Sequence, residues 1–117
     1  MMNSFEAFVL ILQMQLTAAE KAGSVAYAVK TPVAAGTQLR FPGTVIDVPA
    51  EAYVAFIDRQ PTANWGHAAR YLVVSRDSGE VRSIEARLPP FQQAVGGRWR
   101  VIYQAPSVPD AAVAVPR

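Results

Sequence analysis

A mainly β fold is what this sequence predicts: a small antiparallel β-sandwich or open barrel of about seven strands. Three observations point to it. Short runs alternate apolar and polar residues at period two, the spacing of a half-buried strand. Glycine and proline interrupt these runs at short intervals, as turns between antiparallel strands require. The 117 residues are 51% apolar and 17% charged, which suits one globular domain with a single core and argues against general disorder.

The N-terminal segment admits two readings. Asn3-Ser4-Phe5-Glu6 resembles a helix capping box, and Ala18-Ala19-Glu20-Lys21-Ala22-Gly23 reads as a helix that ends at a glycine. Against this, Phe8, Leu10, Leu12, Met14 and Leu16 alternate with Val9, Ile11, Gln13, Gln15 and Thr17, and the second half of that series is cleanly period two. The strand reading is adopted, with a hairpin into Ser24–Lys30, where Val25, Tyr27 and Val29 share a face. The alternative is an α+β fold with an N-terminal helix packed on an antiparallel sheet.

The later elements follow the same logic. Thr31–Thr44 reads as loop, closed by a Phe41-Pro42-Gly43-Thr44 turn of type II chemistry. Val45–Val48 is a short strand stopped by Pro49, and Tyr53–Asp58 is the next. Gln60–Ala69 is a loop. Arg70–Arg76 is a strand with Leu72 and Val74 on one face and Tyr71 and Val73 on the other. Asp77-Ser78-Gly79 suits a three-residue hairpin loop with Gly79 in the left-handed region. Val81–Leu88 returns and stops at Pro89-Pro90, and Trp99–Gln104 is the last strand. Residues 1–104 are read as a single β-rich domain. Residues 105–117, rich in Pro, Ala and Val without periodicity, read as a flexible tail.

The rarest chemical groups gather at one strand entrance. Asn64-Trp65-Gly66-His67 holds the single histidine and one of two tryptophans, and Arg70 and Tyr71 follow at once. Tryptophan offers a large apolar face with one N–H donor, so Trp65 suits recognition, or else it caps one end of the core. Replacing it with alanine is expected to weaken partner binding while leaving thermal stability nearly unchanged. His67 reads first as a structural, hydrogen-bonding residue, second as a ligand contact. Arg70 either pairs with Asp58 across neighbouring strands or grips an anion through two donors. Asn64, Trp65, His67, Arg70 and Tyr71 are therefore the candidate binding residues.

Several chemistries lack their ingredients. There is no cysteine, which removes disulfides, thiolate metal sites and a cysteine nucleophile. No second histidine or paired carboxylate lies at metal-ligand spacing, no Gly-x-Ser-x-Gly elbow marks a nucleophilic serine, and phosphate-loop and dinucleotide signatures are absent. No catalytic residue, metal or cofactor is expected. Nine of eleven basic residues are arginine, and six of them (Arg70, Arg76, Arg82, Arg87, Arg98, Arg100) fall between positions 70 and 100 against Asp77, Glu80 and Glu85. This cluster could attract an anion, but with a net charge of only +2 and no RNP-type or KH-type motif, nucleic acid is not the expected partner. No basic residue precedes Lys21, and the apolar run 8–12 is far short of the roughly 20 residues that span a bilayer. No signal peptide, no membrane span and a cytoplasmic location are expected.

The order Asn-Trp-x-His-x-x-Arg-Tyr, a strand pair, then Ala86-Arg87-Leu88-Pro89-Pro90 resembles small β domains that accompany larger bacterial catalytic domains, peptidases included. Over these 27 residues the resemblance implies an accessory role. The expected function is accordingly a non-catalytic accessory or protein-interaction module, with its contact surface around the Asn64–Arg70 loop. The alternatives are a small hydrolase using His67, and an anion, nucleic-acid or carbohydrate binding module using the arginine cluster and Trp65.

Overall fold

The period-two runs place large residues on both sides of one sheet, and each side is covered differently. The computed structural model describes residues 4–64, 66–93 and 95–115. Helices α1 (Phe5–Gln15) and α2 (Ala18–Gly23) lead into strands β1 (Val25–Val29), β2 (Thr37–Phe41), β3 (Thr44–Val48), β4 (Ala52–Asp58), β5 (Ala69–Ser75), β6 (Val81–Ala86) and β7 (Trp99–Gln104). Five strands form an antiparallel sheet in the order β6-β5-β4-β1-β7, and β2 and β3 form a separate hairpin. Strand outweighs helix, 38% to 18%, and the sheet is not closed. The mainly β class holds, as two antiparallel sheets rather than a barrel.

The N-terminal segment corrects the strand reading. It is α1, capped by the Ser4 hydroxyl, which accepts from the Ala7 N–H at 3.1 Å. Every position from Phe8 to Leu12 is apolar, so a period of two and a period of 3.6 both fit that part of the run. Phe8 and Leu12, one turn apart, are fully buried, whereas Leu10 is exposed. The sheet explains the choice. Ala26, Ala28 and Ala55 occupy the face beneath α1, and Ala28 pairs with Ala55. These small residues leave a shallow floor that the long side chains of a helix can fill. The Phe8 ring stacks on Tyr53 with centroids 5.1 Å apart. Full burial of Phe8 and Leu12 stabilises by about 1.5–3 kcal/mol each.

The opposite face carries Val25, Tyr27, Val29, Val54, Phe56, Tyr71 and Val73, and the β2–β3 hairpin covers it with Leu39, Phe41, Ile46 and Val48. Here β2 corrects the loop expected over Thr31–Thr44. Leu39 and Phe41 are buried while Gln38 and Arg40 are exposed, so the alternation was present but brief between Gly36 and Pro42. The strand count of seven holds only because β2 takes the place of the N-terminal strand. The Pro42–Gly43 turn joins Phe41 to its partner Thr44, with Gly43 at φ +72° as its turn position demands.

The tail expected to be flexible is residues 105–117; 116 and 117 lie outside the described residues, and 105–115 pack against the core. Ala105 and Val108 are buried. The Ala105 N–H donates to Ser24 O, and the Ala114 N–H donates to the Tyr27 hydroxyl at 3.0 Å. Apart from one 3-10 turn at Asp110–Ala112, the backbone here is irregular, and its small apolar residues fill space that the sheet and helices leave, which is why no periodicity announced them.

Candidate functional site

β4 ends at Asp58 and β5 begins at Ala69, and these two residues are cross-strand partners. Two strands in this register need only a short turn, yet ten residues, 59–68, join them. Asp58 and His67 close this loop at its base. Asp58 sits on the hairpin side of the sheet with Phe56. His67 Nε2 lies 2.7 Å from Asp58 Oδ1, and Nδ1 lies 2.7 Å from the Asn64 carbonyl oxygen. Asp58 Oδ1 also accepts from the Gln60 N–H at 3.0 Å. Asp58 is 2% exposed and His67 8%. A carbonyl oxygen only accepts, so Nδ1 carries a hydrogen, and one proton lies between Nε2 and the carboxylate. Both ring nitrogens are thereby engaged in holding the loop.

Above this clamp the chain faces solvent. Gln60, Thr62, Ala63, Asn64 and Gly66 are exposed. Gly66, at φ +99°, donates its N–H to Arg87 O at 3.2 Å, tying the loop to the end of β6. Trp65 lies outside the described residues.

Arg70 and Tyr71 leave this loop in opposite directions, as adjacent residues of a strand must. Arg70 faces the helices and grips Glu20 through two donors: Nε to Oε2 at 2.9 Å and Nη2 to Oε1 at 2.8 Å. Its remaining donors reach Ser83 Oγ at 3.0 Å and Gln15 O at 2.9 Å. The expected Arg70–Asp58 pair is therefore replaced by two others, Arg70–Glu20 and His67–Asp58. The reason is the register: Arg70 stands opposite Ile57, and Asp58 opposite Ala69, so the two charges point to opposite faces of the sheet. Tyr71 is fully buried, stacked on Phe41 at 4.6 Å and 8°. Its hydroxyl donates to Leu88 O at 3.5 Å, and burial raises its pKa.

Glu20 is the centre of an ion network that links helix to sheet. Its carboxylate caps α2 by accepting from the Thr17 N–H, while the Thr17 hydroxyl accepts from the Glu20 N–H. It also accepts from Arg59 Nε at 2.9 Å, and Arg59 in turn grips Glu85 at 2.6 and 3.1 Å. Burial raises the Glu20 pKa, but the hydrogen bonds from Arg70, Thr17 and Arg59 outweigh it and bring the group down to about 2. Hydrogen bonding to Arg59 likewise holds Glu85 below its ordinary value.

Of the five residues expected at the site, the structure brings together Asn64 and His67, and places Arg70 and Tyr71 in the packed interior on either side of the sheet. Glu20, Arg59 and Gln60 lie outside the residues expected at the site, and Asp58 was expected there as a partner for Arg70. The Thr17-x-x-Glu20 spacing was the one available signal for Glu20, and the helix had to be accepted before it could be used. Among the described residues no three of His, Asp and Glu gather as a metal site. No family model matches the chain, and neither a curated protein nor a solved structure matches it.

Proposed function

We propose that this chain is a non-catalytic protein-interaction module whose contact surface is the β4–β5 loop, and that it serves as an accessory to a larger catalytic domain, the role its resemblance implies. The observation that carries this reading is the Asp58–His67 clamp. A ten-residue connection between paired strands costs chain entropy that a tight turn avoids. A buried pair at its base holds it in one shape and leaves Gln60, Thr62, Ala63 and Asn64 exposed. Loops ordered in advance in this way bind with less entropy loss.

The same geometry counts against the hydrolase reading. A general base needs a free lone pair aimed at its substrate or nucleophile. Both His67 nitrogens are instead spent on Asp58 and Asn64. The arginine cluster is also partly consumed: Arg70 holds Glu20, Arg76 holds Glu51 at 3.0 Å, and Arg82 donates to Asp47 O at 2.8 Å.

A peptide-display selection on the immobilised chain tests the reading. Selected peptides should lose at least about tenfold in affinity on a His67→Ala chain that keeps its circular dichroism spectrum. They should keep their affinity on Leu12→Ala, which is destabilised at a distant place. Equal binding to both chains would overturn the proposal, as would a hydrolytic activity that disappears with His67.

A further inference from the structure

The loop is continuous with a groove that has its own chemistry. A cavity of about 500 Å³ lies between the Pro42-Gly43-Thr44 turn of the hairpin, Ala68 at the foot of the loop, and residues 85–88 at the end of β6. The Gly66–Arg87 backbone hydrogen bond joins the exposed loop to this wall. Leu88, 38% exposed, lines the cavity. The space where Gly43 would carry a Cβ lies 3.7 Å from the Leu88 side chain, so the turn and the leucine lie close together and form one apolar wall. Two charged residues line the groove. Glu85 is neutralised by the two-donor grip of Arg59. Arg87 is exposed and has no ion pair among the described residues. The groove therefore offers apolar walls and one available cation.

Resting on the reading of the loop as a contact surface, we infer that this groove receives an extended peptide segment in which a carboxylate side chain stands beside an apolar one. The apolar side chain packs on the joint surface of Leu88 and the Pro42–Thr44 turn. The carboxylate takes the Arg87 guanidinium, which matches it through two parallel donors.

Fluorescence anisotropy with three labelled synthetic peptides tests this: alternating Leu and Asp, alternating Leu and Asn, and alternating Ser and Asp. The Leu-Asp peptide is expected to bind about tenfold more tightly than either of the others. Arg87→Gln should erase the advantage over Leu-Asn, and Leu88→Ser the advantage over Ser-Asp. The inference is overturned by equal binding of the acid and amide peptides, by a preference that survives Arg87→Gln, or by no binding of any peptide up to about 1 mM. Equal binding of Ser-Asp would also overturn it and would point to simple anion attraction. The two readings fail separately: peptides selected by display that depend on His67 but ignore Arg87→Gln would keep the loop and remove the groove.

Discussion

Asp58 and His67 hold each other across the base of the β4–β5 loop, with Nε2 2.7 Å from Oδ1 and both side chains almost completely buried. They are nine positions apart in the chain and stand at opposite ends of a loop whose middle is open to water.

Removing one member of this pair strands the other. His67→Ala leaves a buried carboxylate with the Gln60 N–H as its remaining described donor, and frees the Asn64 carbonyl. The expected loss is about 2–4 kcal/mol, read from urea unfolding. Amide exchange in residues 59–68 should rise well before exchange in β1 and β4. Uniform loss of protection across the sheet would mean that the pair is a general core element rather than a loop clamp.

Glu20 predicts an acid limb of stability. Its pKa is about 2 in the folded chain against an ordinary 4.5. The depressed value means that its contribution is fully present above about pH 5 and is lost as pH falls from 4.5 toward 2. Thermal unfolding followed across that range should show the decline. Glu20→Gln should flatten it and cost about 3–5 kcal/mol at neutral pH, because Arg70 then remains buried without its counter-charge.

The helix and strand readings of residues 5–17 differ at two leucines. On a strand, Leu10 and Leu12 share a face. On α1, Leu12 is fully buried and Leu10 is 63% exposed. Leu12→Ala should therefore cost about 2–5 kcal/mol and Leu10→Ala no more than about 0.5 kcal/mol. Similar losses at both positions would restore the strand.

The alanine floor beneath α1 is tested by filling it. Ala55→Leu adds bulk between β4 and the helix, where Ala55 is fully buried. The expected cost is about 1–3 kcal/mol, seen as a lower unfolding midpoint. A neutral or stabilising effect would show that the helix has room to move away.

Much of the sheet was legible because its strands carry their burial pattern locally. Trp99–Gln104 is β7 at both ends, and Gly79 takes the expected positive φ of +72° in the β5–β6 hairpin. The alternation in Arg70–Val74 already put Arg70 with Leu72 and away from Tyr71, so their separation to opposite faces could be read from parity alone. β2 was overlooked because five residues between a glycine and a proline offer only two inward positions, Leu39 and Phe41. Residues 105–115 gave no signal, since irregular backbone packing has no period.

What the sequence by itself determined is the set of strands in which alternation and turn chemistry agree: β1 and β3 to β7, with the Pro42–Gly43 and Gly79 turns. These are local properties of a few adjacent residues. Tertiary structure alone decided the form of the N-terminal run, because its apolar stretch from Phe8 to Leu12 fits either period until the alanine floor of the sheet selects a helix. It also decided the charge partners. Asp58 meets His67, and Arg70 meets Glu20 fifty residues earlier, because strand register sends each charge to one face of the sheet, and only the elements stacked on that face can answer it.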